Sequence, residues 1–141
     1  MGFQFSKSSK DRMSGVHPDL ISTFYEAIKC SPIDFGVPEF GGKRTQGEQY
    51  QLFSKGLSKC DGTKNKSKHQ SGMALDFYAY IGKATWDKNC LSVVAGAIMT
   101  THARLKKEGK VSKDYDLVWG GTFGSVNFNG WDMPHFELNK I

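Results

Sequence analysis

The sequence predicts one α+β domain in which an antiparallel sheet packs against helices. Its 141 residues are the size of one ordinary domain and are long enough to bury a substantial core. Hydrophobic residues make up 38% of the chain and charged residues 23%, which excludes a globally disordered protein. Helical and alternating apolar patterns both occur, and 16 glycines and four prolines supply turns between them. We therefore expect residues 1–141 to form a single domain.

Two segments have the periodicity of well-packed helices. The first begins near Pro18, a residue suited to the first turn of a helix, and should end near Cys30. Its apolar residues recur at three- and four-residue steps: Leu20, Ile21, Phe24, Ala27 and Ile28. A longer helix is expected over about residues 85–108, with Gly109 closing it.

A shorter helix is predicted between these two. Thr45 and Glu48 have the spacing of a capping box, so the helix should begin at Thr45. We expect Tyr50, Phe53 and Leu57 to form its buried stripe. The polar, lysine-rich stretch that follows, residues 58–68, is predicted to be a loop.

The strands are predicted from short alternating segments. Residues 72–81 are the best candidate, because Met73, Leu75, Phe77 and Ala79 alternate with more polar positions. Further short strands are expected at residues 115–119, 122–128 and 135–138, and a short extended piece at residues 35–40.

Charge and cysteine content limit the possible function classes. The formal net charge of +5 favours a polyanionic partner such as nucleic acid, a cell wall or an anionic membrane. Three cysteines without a CxxC pair argue against a disulfide framework and a cysteine-rich zinc site. The first residues contain no apolar run typical of a secretory signal, and no stretch is long enough to span a membrane. We therefore expect reduced thiols in a protein made in the cytoplasm.

One group of residues has the chemistry of a catalytic metal site. His69 lies seven residues before Asp76, and Asp132 lies three residues before His135. Two imidazoles and one carboxylate, with a fourth position left open, form a ligand set of catalytic zinc. A carboxylate within an aromatic-rich strand is costly to bury without a partner, and a cation is an effective one. A hydrogen-bonded network around Asp76, with His135 as a core histidine, is the alternative interpretation of these residues.

The full motif resembles a known family. Residues 67–76 read S-K-H-Q-S-G-M-A-L-D and resemble the SxHxxGxAxD signature of the D-alanyl-D-alanine carboxypeptidase and L-alanyl-D-glutamate peptidase family of zinc peptidases. Residues 132–135, D-M-P-H, resemble its second motif, and residues 43–45 followed by Gln49 resemble its upstream arginine segment. Within this family, the small cytoplasm-made members that have Asp rather than Glu before the last histidine are similar to tailed-phage endolysins.

The resemblance implies a fold of the hedgehog and D,D-peptidase type and a role for each matching residue. One zinc ion per chain would be held by His69, Asp76 and His135, with Asp132 as general base. Arg44 would orient a substrate carboxylate or steady the oxyanion. Ser67 would position a ligand or the turn before it. Apart from the resemblance, Glu137 alternates onto the same strand face as His135 and is expected to support the site, and Trp131 is expected in the core or the wall of the cleft.

The function implied is an endolysin that cleaves the L-Ala–D-Glu bond of the peptidoglycan stem peptide. The alternatives are a D-Ala-D-Ala carboxypeptidase and a non-catalytic wall-binding module on the same fold. The resemblance further implies a monomer that binds neither nucleic acid nor, in any stable way, the membrane. It would accumulate in the host cytoplasm and reach the peptidoglycan after release through the inner membrane.

Overall fold

Among residues 2–124 and 130–141, which the computed structural model describes, the chain forms helices and short strands in an α+β arrangement. The helices are α1 (Lys7–Arg12), α2 (Pro18–Cys30), α3 (Gln46–Ser54) and α4 (Lys88–Lys107). The strands are β1 (Asp34–Gly36), β2 (Ala74–Asp76), β3 (Tyr78–Tyr80), β4 (Ala84–Thr85), β5 (Tyr115–Trp119) and β6 (His135–Lys140). None of the helices in this part of the chain has the length and apolar character needed to cross a membrane.

The strands form two antiparallel sheets, ordered β1-β3-β4 and β2-β6-β5. The strand predicted at residues 72–81 is divided between them, because β2 and β3 belong to different sheets. At the break, the amide of Phe77 donates to the carbonyl of Pro134 at 2.8 Å. The predicted alternation is confirmed on the core side, where Leu75, Phe77 and Ala79 are fully buried.

The core lies between the sheets and the helices α2 and α4. Phe24 on α2 is at its centre and makes edge-to-face contacts with Phe35, Phe77 and Phe136. Such contacts stabilise aromatic pairs beyond the area that they bury. Because Phe77 directly follows β2 and Phe136 lies on β6, this cluster holds those two strands in position.

Two sequence predictions need correction. The predicted stripe of α3 is not buried: Tyr50, Phe53 and Leu57 are 54%, 41% and 72% exposed. The helix instead buries Gln49, whose amide is hydrogen-bonded to surrounding groups. The strand predicted at residues 122–128 begins as a 3₁₀ turn over Gly120–Thr122, and residues 125–129 lie outside the described part of the chain.

The N-terminal helix α1 was not predicted. It has six residues, and its only buried side chain is Ser9, so it shows no apolar periodicity. Its one strong signal is Ser6, which accepts a hydrogen bond from the amide of Ser9 as an N-cap. Helices α2 and α4 are confirmed, and all three cysteines are free thiols.

Candidate metal centre

Three side chains with metal-ligand chemistry converge from separate parts of the sequence. Asp76 ends β2 and His135 begins β6, and the ladder of these strands places the two residues directly opposite each other. His69 lies on a 3₁₀ turn, Lys68–Ser71, that leads into β2. Gly72 ends this turn at φ 75°, a left-handed conformation that glycine adopts without strain. The turn therefore delivers His69 to the end of the strand pair.

The three donor atoms form a nearly equilateral triangle. Nε2 of His69 is 3.2 Å from Nδ1 of His135 and 3.2 Å from Oδ1 of Asp76. Nδ1 of His135 is 3.0 Å from the same carboxylate oxygen. Zinc–nitrogen and zinc–oxygen bonds of about 2.0–2.1 Å in tetrahedral geometry place ligand atoms about 3.3 Å apart. The donor set therefore fits a small tetrahedral cation, and the group is able to hold a metal ion.

The other nitrogen of each histidine ring has its own hydrogen-bond partner. Nδ1 of His69 lies 2.9 Å from the carbonyl oxygen of Gly42, and only a protonated nitrogen can donate to a carbonyl. Nε2 of His135 lies 2.9 Å from Oε1 of Glu137. These contacts leave Nε2 of His69 and Nδ1 of His135, which lie 3.2 Å apart, as the two ring nitrogens available to a cation.

Arg44 holds the far oxygen of Asp76. Its Nη2 donates to Oδ2 of Asp76 at 3.2 Å, while Oδ1 faces the histidines. Its Nε donates to the carbonyl of Phe40 at 2.7 Å, and its Nη1 donates to the side chain of Gln49 at 3.0 Å. Since the guanidinium is fixed at three atoms, it fixes the Asp76 carboxylate in turn.

Asp132 lies beside the cluster on the turn that leads into β6, as predicted. Its Oδ2 is 3.7 Å from Nδ1 of His135, and its carbonyl accepts from the amide of His135 at 3.1 Å. The backbone of Gly120 packs against this turn so closely that a Cβ there would lie 1.8 Å from the carbonyl oxygen of Asp132. This close contact with the turn that carries Asp132 therefore leaves no room for a side chain at position 120.

Comparison with known proteins places this arrangement in a family. A family model described as phage L-alanyl-D-glutamate peptidase matches residues 1–139. This chain belongs to that family. The L-alanyl-D-glutamate peptidase of Escherichia phage T5 is 36% identical to it over 147 positions, covering 98% of this chain and 99% of the phage T5 protein. The crystal structure of the L-Ala D-Glu endopeptidase ChiX of Serratia marcescens matches with a TM-score of 0.73 and 26% identity, covering 98% of this chain and 91% of that one.

In this member of the phage L-alanyl-D-glutamate peptidase family, the cluster lies on the floor of a cleft of about 470 Å³. All of the site residues predicted from the sequence line the cleft: Arg44, Ser67, His69, Asp76, Trp131, Asp132, His135 and Glu137. Ser67 caps the turn that carries His69, because its hydroxyl accepts from the His69 amide at 3.2 Å. Trp131 is 71% exposed at the rim.

The charges of the cluster shift the pKa values of Asp76 and His135. Burial raises the pKa of Asp76, but the adjacent His69 and His135 outweigh burial and hold that pKa well below its usual range. Burial lowers the pKa of His135, yet hydrogen bonds to Asp76 and Glu137 raise the pKa to about 9. These shifts show that the two carboxylates stabilise positive charge in this position, which is the charge a bound cation would bring.

Burial also raises the pKa of Asp132, and the negative charge of Asp76 adds to this increase while His135 opposes it. A carboxyl group whose pKa is shifted towards neutrality is better suited to accept and return a proton at neutral pH.

Sequence reasoning missed three contacts at the site. The carbonyl of Gly42 orients His69, but a backbone oxygen carries no signal in the residue types. Lys68 holds Glu137, with its Nζ 3.5 Å from Oε2, and its position next to His69 was the only available clue. Lys59 lies over the ring of Trp131, with its Nζ 5.6 Å from the ring centroid, a contact between residues distant in sequence.

Proposed function

We propose that this protein is a zinc-dependent endolysin that hydrolyses the L-Ala–D-Glu bond of the peptidoglycan stem peptide and so lyses the bacterial host of a phage. The observation that carries this proposal is the His69, Asp76 and His135 triangle with Asp132 beside it, in a member of the phage L-alanyl-D-glutamate peptidase family. The curated relative from phage T5 bears the same activity in its name.

We infer one zinc ion per chain, held by His69, Asp76 and His135. Two imidazoles and one carboxylate leave a fourth position open, which is the arrangement of catalytic rather than structural zinc. When bound, zinc supplies Lewis acidity that polarises the scissile carbonyl and makes water nucleophilic near neutral pH.

Asp132 is the proposed general base. Its carboxylate lies at the edge of the donor triangle but outside it, so it takes the proton of the attacking water and returns it to the leaving amine. The side chain is one-third exposed, which leaves it open to the cleft. A structural metal site would have no need of a base in this position.

Arg44 has two proposed tasks. It positions the Asp76 carboxylate, and its guanidinium faces the same cleft, where positive charge stabilises the oxyanion or holds a substrate carboxylate. Burial lowers the pKa of Arg44 and the negative charge of Asp76 raises it again, but an arginine stays protonated throughout the physiological range.

We further propose that the protein acts as a monomer and is made in the host cytoplasm. Membership in a phage peptidase family supports this location, since the enzyme would be synthesised inside the host and its substrate lies beyond the inner membrane. The net charge of +5 suits an anionic wall, and membership in a peptidoglycan peptidase family gives no reason to expect nucleic acid as a partner.

Digestion of purified muropeptides tests the proposal. Mass spectrometry should show products split between L-Ala and D-Glu, and the chelator-treated protein should form none. Release of terminal D-Ala instead would identify a D-Ala-D-Ala carboxypeptidase. Binding to the wall without any cleavage would identify a non-catalytic wall-binding module.

A further inference from the structure

The carboxylates of the cleft are less exposed than its lysines. Asp76 belongs to the donor triangle and Asp132 and Glu137 lie beside it, with side chains that are 18%, 33% and 15% exposed. The lysines that line the cleft are more exposed: Lys59, Lys66 and Lys68. Lys68 is engaged with Glu137 at 3.5 Å. Within residues 2–124 and 130–141, no carboxylate lies within ion-pair distance of the other two lysines. The rim therefore presents positive charge to whatever enters the cleft.

Of Lys59 and Lys66, Lys59 is the one with a defined contact. Its ammonium lies over the ring of Trp131 at 5.6 Å from the centroid, within the range of a cation–π interaction. The Trp131 ring in turn contacts Phe123, with 5.3 Å between ring centroids. Trp131 directly precedes Asp132 in the sequence, so Lys59 reaches across the cleft to the wall that carries the proposed base.

Cleavage of the L-Ala–D-Glu bond brings a residue with a second carboxyl group close to Asp132. In an L-Ala–D-Glu bond, the leaving amine belongs to D-Glu, and Asp132 must approach that nitrogen to protonate it. D-Glu has two carboxyl groups, and the next peptide bond of the stem uses one of them. The other stays free on the residue whose nitrogen Asp132 must approach, and Lys59 and Trp131 are adjacent to Asp132 on the same cleft.

We propose that Lys59, held over Trp131, binds this free carboxylate and makes the enzyme selective for a leaving residue that carries a carboxylate rather than a carboxamide. The proposal rests on the L-Ala–D-Glu activity proposed above. It gives Lys59 a role in substrate specificity and Trp131 a positioning role, neither of which involves the metal ligands.

The test uses two synthetic stem peptides that differ at one group, the free carboxylate of D-Glu or its carboxamide. The wild-type protein should cleave the carboxylate peptide with a KM about fivefold lower, the effect expected of a charge pair at a partly exposed position. Lys59→Met should remove this difference by raising KM for the carboxylate peptide alone, with kcat unchanged. Lys59→Arg should retain the preference, because it keeps the positive charge.

Two further lysine variants separate this role from general electrostatic attraction. Lys64 lies on the same loop, is exposed and does not line the cleft, so Lys64→Met should behave as wild type. Lys66 lines the cleft without the Trp131 contact, and Lys66→Met should keep the preference for the carboxylate peptide. Because cleavage of the carboxamide peptide reports folding and catalysis, a misfolded variant is recognised by loss of both activities.

Equal KM values for the two peptides with the wild-type protein would overturn the proposal, as would an unchanged preference in Lys59→Met. Loss of the preference in Lys66→Met would place the carboxylate elsewhere on the rim. Cleavage of neither peptide by the wild-type zinc-loaded protein would overturn the proposed function itself, and the assignment of Lys59 with it.

Discussion

Each donor of the metal centre is oriented by a group on its far side. The carbonyl of Gly42 fixes the His69 ring, Glu137 fixes the His135 ring, and Arg44 fixes the Asp76 carboxylate. Outer partners of this kind set the tautomer and raise the basicity of metal ligands. These partners orient the three donors without belonging to the donor triangle, and the group so arranged is able to hold a metal ion.

Glu137 is the partner that substitution can test. Glu137→Gln keeps an oxygen that accepts from His135 but removes the negative charge, so zinc affinity should fall by about 10- to 100-fold. Competition with a chromophoric chelator measures this affinity directly. Glu108→Gln is the matched control, because Glu108 is exposed at the end of α4 and should leave zinc affinity unchanged. Equal zinc affinities for the two variants would show that Glu137 does not contribute to zinc binding.

Asp132 is expected to act on the reaction without holding the metal. Asp132→Asn should bind zinc normally and lose about 10²–10⁴ in kcat, the usual contribution of general-base catalysis. Because burial raises the pKa of Asp132, the acidic limb of the wild-type pH–rate profile should lie above the range of a free aspartate, and the limb should vanish in the variant. Loss of zinc from Asp132→Asn would instead make Asp132 a ligand and Asp76 the better candidate for the base.

At this scale the sequence predicted the three donors and Asp132, but it predicted neither the backbone carbonyl that orients His69 nor the contacts of the lysines around the cluster. The donors His69, Asp76 and His135 have residue types and spacing that point to a metal, and the structure brings them together. The Gly42 carbonyl depends on the path of a loop, and Lys59 depends on two loops meeting across the cleft. Neither feature leaves a local pattern in the sequence.

At the scale of elements, the start of α3 was predicted correctly, whereas its buried face was predicted wrongly. The capping box of Thr45 and Glu48 is present, so the start of the helix was predictable from local chemistry. Its buried face was not, because the apolar stripe was assumed to point inward. The buried residue is Gln49, which links Arg44 to the 58–60 segment through hydrogen bonds to Ser58 and to the carbonyl of Cys60.

This arrangement predicts that two neighbouring substitutions on α3 change the free energy of unfolding by very different amounts. Gln49→Ala leaves the partners of a buried amide unsatisfied and should lower the free energy of unfolding by about 2 kcal/mol. Tyr50→Ser changes an exposed side chain and should alter it by less than about 0.5 kcal/mol. Urea denaturation of the two variants measures both values. A larger loss of unfolding free energy in Tyr50→Ser than in Gln49→Ala would contradict this and would indicate that the apolar stripe is buried.

Helix α4 carries a titrating group outside the candidate metal centre, His102. Burial lowers the pKa of His102, and the positive charge of Lys106 lowers it further. A histidine whose folded-state pKa lies below its unfolded value of about 6.5 contributes stability that is complete above that pH and is lost as the pH falls through the folded-state pKa.

We therefore expect the wild-type free energy of unfolding to decline more steeply below about pH 6.5 than that of His102→Gln, which has no titrating group at this position. Chemical denaturation at a series of pH values from neutral to mildly acidic compares the two slopes. Parallel curves would show that His102 titrates alike in the folded and unfolded chains.

At the scale of the whole molecule, the metal centre joins parts of the chain that are far apart in sequence. His69 and His135 are separated by 66 positions, and the strands that carry Asp76 and His135 pair directly. A cation held by all three donors stabilises only the folded chain, so metal binding adds to the free energy of folding. The α+β class was predictable from composition and periodicity. The division of residues 72–81 between two sheets was not, because it follows from the long-range pairing of β2 with β6 and of β3 with β1.

Zinc titration of the metal-free protein tests the central claim most directly. Cleavage of the L-Ala–D-Glu bond, followed by mass spectrometry of the muropeptide products, should rise in proportion to added zinc and reach its maximum at one ion per chain. His135→Ala should neither bind the ion tightly nor gain activity. Full L-Ala–D-Glu cleavage by the metal-free protein, or tight zinc binding by His135→Ala, would contradict the account.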